Sequence, residues 1–133
     1  MKNSEITLMG QYIKDLSFEN PLAPNLPPQN KNPTVNLDIN TNYLDLKNNN
    51  HEVNLIIKTT ASIEKDTLFI IEIQYAGLVK ADLKDEADKR NLIITGSYLL
   101  FPFARSIITS ITMEAGFKPF IIQPIKFENM VQK

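Results

Sequence analysis

The sequence predicts an α+β domain in which a four-stranded antiparallel sheet carries helices packed on one face. Two observations lead to this fold class. Within the first 75 residues, four segments alternate apolar and polar side chains in the manner of strands. From Phe103 onward the apolar residues recur at spacings of three and four, which is typical of helices. A run of strands followed by helices is typical of the α+β class.

The bulk composition fits one globular domain over residues 1–133. Hydrophobic residues make up 43% of the chain and the net charge is −1, which argues against disorder and against a general nucleic-acid binder. The absence of cysteine excludes disulfides and cysteine-ligated metal, and it fits the reducing cytoplasm. Residues 1–10 lack the apolar run of a signal peptide, and no stretch approaches the ~20 apolar residues of a membrane span.

The first two strands are predicted on either side of a proline-rich connector. Glu5–Phe18 is a strand with a bulge expected at Gly10. Asn20–Pro33 holds five prolines, which lack an N–H donor, and is therefore an extended connector. Thr34–Leu46 alternates well, and the asparagine-rich residues after it form a turn because asparagine tolerates positive φ.

The next two strands are His51–Ile63 and Thr67–Tyr75, joined by a turn at residues 64–66. Such a short connection predicts antiparallel pairing. One face of the last strand is wholly apolar and should be buried: Phe69, Ile71, Ile73 and Tyr75. Glu72 then points away from that core.

Two helices are predicted after the strands. Leu83–Ile94 contains helix formers and many charges. Pro102 marks the start of a second helix, because proline is tolerated at the first helical position. Gly116 is its natural stop. Phe127–Gln132 could begin a short helix.

The sequence offers little catalytic chemistry. The single histidine, His51, lies beside a turn and is interpreted as exposed polar surface. Asp85, Glu86 and Asp88 alternate with basic residues and are interpreted as a solvated, salt-bridged helix face. No nucleophile, metal set or phosphate loop can be assembled, so we expect no catalytic residues, no metal and no cofactor, and an enzyme is the least favoured class.

Three blocks of the sequence together carry a family pattern. The first is Asp15–Pro21 with Ala23 and Pro24, and the second is Phe69–Gln74 with Gly77. The third is Leu100–Arg105, continued by a set of matching positions: Ile108, Ser110, Gly116, Phe117, Pro119, Pro124 and Phe127. Any single block is weak evidence, but together, in this order and spacing, they resemble the SecB family of protein-export chaperones over nearly the whole chain.

The resemblance implies a homotetramer built as a dimer of dimers. First strands would pair within each dimer, which also occupies an edge that otherwise invites association. Helices from the two dimers would pack between the sheets. The residues that the resemblance places at or near these interfaces are Ile71, Ile73, Tyr75, Ile107 and Ile111.

The resemblance also implies two binding surfaces. Asp15, Glu19 and Glu72 fall where the family contacts the export motor SecA, and three carboxylates suit a basic partner whose attachment depends on salt. Unfolded secretory preproteins would be held without ATP in apolar grooves. The candidate lining residues are Tyr12, Phe18, Phe117, Phe120, Phe127 and Met130, since aromatic and methionine side chains give large, adaptable contacts.

This sequence departs from the family in two respects. Well-known members carry a longer C-terminal helix and an acidic tail, whereas this sequence ends at Lys133, so we expect a more open groove. Its net charge is also much nearer zero. Two alternatives to general export stay open: a SecB-like chaperone dedicated to one partner such as an antitoxin, and a carrier of a lipid or small ligand in the same groove.

Overall fold

The computed structural model describes residues 5–25 and 30–131, so Pro27 and Pro28 of the predicted connector lie outside the described residues. Within this part of the chain the elements are, in order, β1 (Thr7–Glu19), β2 (Thr34–Lys47), β3 (Asn50–Ile63), β4 (Asp66–Lys80), α1 (Glu86–Glu114) and a 3₁₀ turn (Phe127–Asn129). The α+β class with four antiparallel strands is therefore confirmed.

The four strands form one sheet in the order β1-β4-β3-β2, so β1 and β2 are its edges. The predicted asparagine turn joins β2 to β3, and Asn48 and Asn49 both have positive φ (56° and 63°). Two such residues form the hairpin turn whose twist matches that of paired strands. β4 continues five residues past the predicted end at Tyr75, because Gly77 still pairs with both neighbouring strands.

The sheet has two different faces. On the covered face, which packs against α1, Val53, Leu55, Ile57, Ile71 and Ile73 are fully buried. The opposite face carries no helix among the described residues and is called the open face. Glu72 lies there and is exposed, as the alternation predicts.

The prediction of two helices is wrong, because α1 is one continuous helix of 29 residues with Pro102 inside it. Pro102 removes one backbone donor. The residues beside it, Leu100, Phe101 and Ala104, are nevertheless buried against the sheet. Packing of this apolar side keeps the two halves in line. Among the described residues, α1 is also long and apolar enough to cross a membrane, but 44% of that apolar window is buried inside the fold.

Hydrogen bonds from residues close in sequence cap both ends of α1. Asp85 accepts a hydrogen bond from the Asp88 backbone N–H, and the Asp88 carboxylate accepts one from the Lys84 N–H. At the other end Gly116 has φ +93°, as its predicted role as a stop requires. The Gly116 and Phe117 N–H groups bond back to Met113 and Thr112, which is the Schellman arrangement. This turn directs the following segment back across the covered face.

Two smaller interpretations need correction. Asp88 is 8% exposed and caps the helix, so it is not part of a solvated face. His51 is only 5% exposed. Its Nε2 lies 3.0 Å from the Ala81 carbonyl oxygen, which can only accept, and its Nδ1 lies 3.1 Å from the Tyr43 hydroxyl. The histidine thus joins β3 to the chain just beyond β4 instead of lying on the surface.

Candidate functional site

An apolar cavity of about 210 Å³ opens at the end of the sheet where β3 turns into β4. Its wall comes from β3 and β4, from Val35 and the residues just before β2, and from the segment after α1. The apolar lining residues include Leu68, Phe69, Phe117, Pro119 and Phe120. We call it the aromatic cavity. Concave apolar sites of this kind favour extended apolar segments or small ligands.

Three phenyl rings run from β1 to the aromatic cavity. The Phe18 ring centroid lies 6.3 Å from that of Phe69, which in turn lies 5.1 Å from that of Phe117. Both spacings fall within the range of attractive aromatic pairs. The cavity is therefore backed by a connected aromatic row.

Two threonines of α1 fix the cavity wall. The Thr109 hydroxyl donates to the Phe120 carbonyl at 2.7 Å. The fully buried Thr112 hydroxyl accepts from the Phe120 N–H at 3.1 Å and donates to the Thr109 carbonyl at 2.7 Å. Because both backbone groups of Phe120 are bonded to α1, its ring keeps a fixed place in the wall.

The six candidate groove residues lie in different places. Phe117 and Phe120 line the aromatic cavity, and Phe18 adjoins it through Phe69. Phe127 is fully buried, and its ring packs edge-on against Tyr98 and Phe101. Two other candidates lie elsewhere: Met130, 38% exposed, ends the 3₁₀ turn, and Tyr12 lies on the open face.

The three acidic candidates lie together on the open face. The β1–β4 register places Ser17 opposite Glu72, with Asp15 opposite Gln74 and Glu19 opposite Ile70. Asp15 and Glu19 therefore flank Glu72 diagonally, at the ~7–8 Å spacing of such cross-strand neighbours. All three are exposed. We call Asp15, Glu19 and Glu72 the acidic surface.

The acidic surface is bounded on its other side by a lysine. Lys58 of β3 lies opposite Glu72, and Asp38 of β2 lies opposite Lys58. A basic partner that contacts Glu72 would thus meet carboxylates toward β1 and a like charge toward β3. The field of this face favours an approach from the β1 side.

The candidate interface residues contribute to the core of a single chain. Ile71 and Ile73 are fully buried, and Tyr75 is 6% exposed with its ring stacked on Phe103. Ile107 and Ile111 are half-buried and pack against the same core. None of the first three offers side-chain area to a second copy in this arrangement.

The side of α1 that faces away from the sheet does offer exposed apolar side-chain area to a second copy. Leu99, Phe103 and Met113 are 42%, 48% and 50% exposed, and Ser106 and Ser110 lie exposed between them. The family resemblance placed helices between the two dimers, but Leu99, Phe103 and Met113 were not among the predicted interface residues. The sequence did contain a signal for this surface. A helix with apolar residues on all sides is expected to be covered on all sides, so its outer side should bind another chain.

A second cleft, of about 630 Å³, lies at the opposite end of the sheet beside the β2–β3 turn and the start of α1. Its lining is largely charged and includes Asp45, Lys47, Lys84, Glu86 and Lys89. Mixed charge of this kind does not suit apolar segments. Among residues 5–25 and 30–131, no three histidine, aspartate or glutamate side chains form a group that could hold a metal ion.

The model of one protein family, described as preprotein translocase subunit SecB, matches residues 1–133. The chain belongs to the SecB family. Proteins named protein-export protein SecB are similar to it along almost its whole length. That of Methylocella silvestris is 43% identical and covers 92% of this chain, which spans 77% of that relative. That of Rickettsia akari is 41% identical over 96% of this chain and 86% of the relative. That of Wolbachia pipientis subsp. Culex pipiens is 35% identical over 100% of this chain and 91% of the relative.

The fold has a solved counterpart as well. A SecB-like chaperone of Mycobacterium tuberculosis, in complex with a ChAD peptide from the HigA1 antitoxin, superposes with a TM-score of 0.76 over 90% of each chain. Its identity to this chain is 12%, so the likeness is one of fold. A SecB-type sheet with one long helix is therefore the architecture that both the family and the structure support.

Proposed function

We propose that this protein is an ATP-independent chaperone of the cytoplasm. It would hold unfolded precursor proteins in an export-competent state and deliver them to the motor SecA. Membership of the SecB family carries this proposal, because relatives 35–43% identical to the chain are named protein-export proteins. Two surfaces of the described residues fit the two tasks.

The aromatic cavity is the proposed client site. The half-buried rings of Phe117 and Phe120 present aromatic area that is indifferent to client sequence, with the buried Phe69 ring behind Phe117. Extended clients can add backbone pairing at a sheet edge. Each contact would be weak. Repetition of the cavity over several subunits would raise the overall affinity through effective concentration.

The acidic surface is the proposed SecA site. It lies on the open face, whereas the aromatic cavity opens at the end of the covered face. A client and a basic segment of SecA could therefore be bound at the same time. Charges exposed to this degree act mainly on the rate of association, and their effect is screened within about 8 Å at physiological salt.

Assembly as a homotetramer is proposed from two unpartnered features. The β1 edge carries exposed apolar side chains, among them Met9, Ile13 and Leu16, and the outer side of α1 carries Leu99 and Phe103. Pairing of β1 edges and packing of α1 surfaces would cover both. Together they would give a dimer of dimers.

The first experiment measures arrest of refolding. A slow-folding secretory precursor is diluted from denaturant into the protein without ATP, and its folding rate is recorded. We expect dose-dependent arrest that saturates near one client per tetramer. An unaltered folding rate at micromolar protein would refute general client holding and favour a dedicated partner or a small ligand.

The second experiment separates the two surfaces. Asp15→Lys and Glu72→Lys should weaken SecA binding by about tenfold or more, equivalent to ~1.4 kcal/mol, while refolding arrest persists. Asp38→Lys is the matched control, since it makes the same charge change on the open face two strands away from Glu72. Equal loss of SecA binding in all three variants would contradict the assigned site.

A further inference from the structure

The pairing of β1 with β4 shifts by one residue at Lys14. Ile13 lies opposite Tyr75 and Asp15 lies opposite the next residue, Gln74, so Lys14 is an extra residue in β1. Side chains alternate along a strand with a period of two. One extra residue therefore inverts the alternation of everything after it.

This inversion creates the acidic surface. With the shift, Asp15 and Glu19 lie on the open face beside Glu72, while Phe18 lies on the covered face near Phe69. In a continuous register the same two acids would point toward the apolar core, and Phe18 would point outward. The location of the acidic surface thus depends on a single bulged residue.

The carboxylate of Glu52 binds the chain at the bulge and just before it. Its Oε2 accepts a 2.6 Å hydrogen bond from the Tyr12 hydroxyl, and its Oε1 accepts a 2.9 Å bond from the Lys14 ammonium. Glu52 is on β3, so both side chains reach across β4 to meet it. They pass over Ala76, which lies opposite Tyr12, is completely buried and is small enough to let them cross.

The contacts continue from Glu52 to the strand position opposite Asp15. The Asn54 side-chain amide donates to Glu52 Oε1 at 3.0 Å, and the Gln74 side-chain amide donates to Asn54 Oδ1 at 3.0 Å. Glu52 is 7% exposed and Asn54 is 4% exposed, although no helix of the described residues covers the open face. A carboxylate buried to this degree is costly unless it is paired, so these side chains stabilise one arrangement as a unit.

We propose that Glu52 is a positioning residue for the binding of a basic partner: by holding Tyr12 and Lys14 it fixes the bulge that turns Asp15 and Glu19 to the open face. Glu52 itself does not touch the partner. This inference rests on the proposed SecA site for its functional consequence. Its structural part is tested independently of SecA.

The absence of cysteine from the chain allows a clean test by cross-linking. The pair Ser17→Cys with Glu72→Cys lies directly opposite in the present register. Without the bulge, residue 16 would lie opposite residue 72, so the pair Leu16→Cys with Glu72→Cys reports the alternative register. Disulfides form only when the two Cα atoms approach within about 7 Å and the side chains face each other.

In the otherwise native chain we expect the first pair to oxidise readily and the second pair at least tenfold more slowly. Glu52→Ala should reduce this ratio to near one or invert it. In Glu52→Gln, which keeps one acceptor oxygen, the ratio should lie between that of the natural residue and that of Glu52→Ala. Val53→Ala is the control for general destabilisation, since Val53 neighbours Glu52 but faces α1; it should leave the ratio unchanged.

An unchanged ratio in folded Glu52→Ala would overturn the proposal, whatever happens to SecA binding. If Glu52→Ala does not fold, Lys14→Met removes one donor alone and serves for the same comparison. A changed ratio with SecA binding intact would refute the acidic surface as the SecA site and leave positioning by Glu52 standing. A changed ratio together with weaker SecA binding supports both.

Discussion

Gly96 of α1 and Val53 of β3 are in contact so close that no side chain fits between them. A Cβ at Gly96 would lie 2.9 Å from Val53 Cγ2 and 3.1 Å from Val53 Cβ and Cγ1. The neighbouring Ser97 hydroxyl is 2.6 Å from the Thr41 hydroxyl. This contact sets the height of α1 above the sheet, and therefore the depth of the core.

Gly96→Ala is expected to destabilise the protein. Overpacking of a core costs about 1–3 kcal/mol. This outweighs or cancels the gain of up to about 1 kcal/mol that alanine brings to a helix. Urea unfolding should show a lower free energy of unfolding. Combining it with Val53→Ala should cost less than the sum of the two single changes, because the smaller side chain restores the room.

Gly10→Ala provides the matched comparison for that prediction. Among the described residues, no atom lies within 4 Å of a Cβ at Gly10, and the φ of Gly10 is not in the left-handed region. Gly10→Ala should therefore leave the free energy of unfolding nearly unchanged. Equal losses at positions 10 and 96 would show that close approach to Val53 is not the cause.

The Tyr12–Glu52 contact predicts a dependence of stability on pH. Burial, together with the hydrogen bond to Glu52 and its charge, raises the pKa of Tyr12 from 10.0 to about 12. A pKa that is higher in the folded protein means that the stabilisation is complete below pH 10 and is lost as the pH rises toward 12. The difference in free energy of unfolding between the natural chain and Tyr12→Phe should accordingly narrow over that interval.

Glu52, the other partner in this contact, makes stability depend on pH in the opposite direction, with the loss at low pH. Burial alone would raise the pKa of Glu52, but hydrogen bonds from Tyr12, Lys14 and Asn54 lower it on balance below 4.5. A lowered pKa gives stability that is present above 4.5 and lost as the pH falls below it. Glu52→Gln should therefore lose less stability than the natural chain on acidification. Parallel pH curves for the two proteins would contradict this expectation.

Thr112→Val is expected to loosen the wall of the aromatic cavity. Valine has the shape of threonine, but it leaves the Phe120 N–H without its acceptor, at a cost of about 1–3 kcal/mol. Hydrogen exchange of the Phe120 amide should accelerate, and client binding should weaken. Ser110→Ala, on the exposed side of α1, is the control. Unchanged exchange at Phe120 would show that Thr112 does not hold this segment.

A charge on the outer side of α1 is predicted to break the proposed tetramer. Leu99→Asp places a carboxylate on the apolar surface that a second dimer would cover. Light scattering should report dimers in place of tetramers. Leu46→Asp is the control, because Leu46 is similarly exposed (43%) but lies near the end of β2. A tetramer that survives Leu99→Asp would rule out this surface as the contact between dimers.

The strands could be predicted from sequence because local information decides them. In β4, alternation alone identified Ile71 and Ile73 as core and Glu72 as exposed, and the asparagines after β2 specified the hairpin. Pro102 misled the prediction for α1, because local geometry favours a helix start while burial of Leu100 and Phe101 favours continuity.

The site was less predictable because it depends on contacts between distant residues. Asp15 and Glu19 share a face under simple alternation, but which face they share depends on the bulge at Lys14. That bulge is held by Glu52, 38 residues further along the chain. Similarly, aromatic character alone grouped Phe127 with Phe120, although one is buried under α1 and the other lines a cavity.

Phe127 and Phe120 should therefore respond differently to the same substitution. Phe127→Ala removes a fully buried ring that packs against Tyr98 and Phe101, and it should cost about 3–5 kcal/mol of stability. Phe120→Ala removes a half-buried ring from the cavity wall, so it should cost less stability but reduce refolding arrest. Urea unfolding measures the loss of stability in each variant, and the refolding-arrest assay measures the loss of client holding. Full arrest by folded Phe120→Ala would exclude the aromatic cavity as the principal client site.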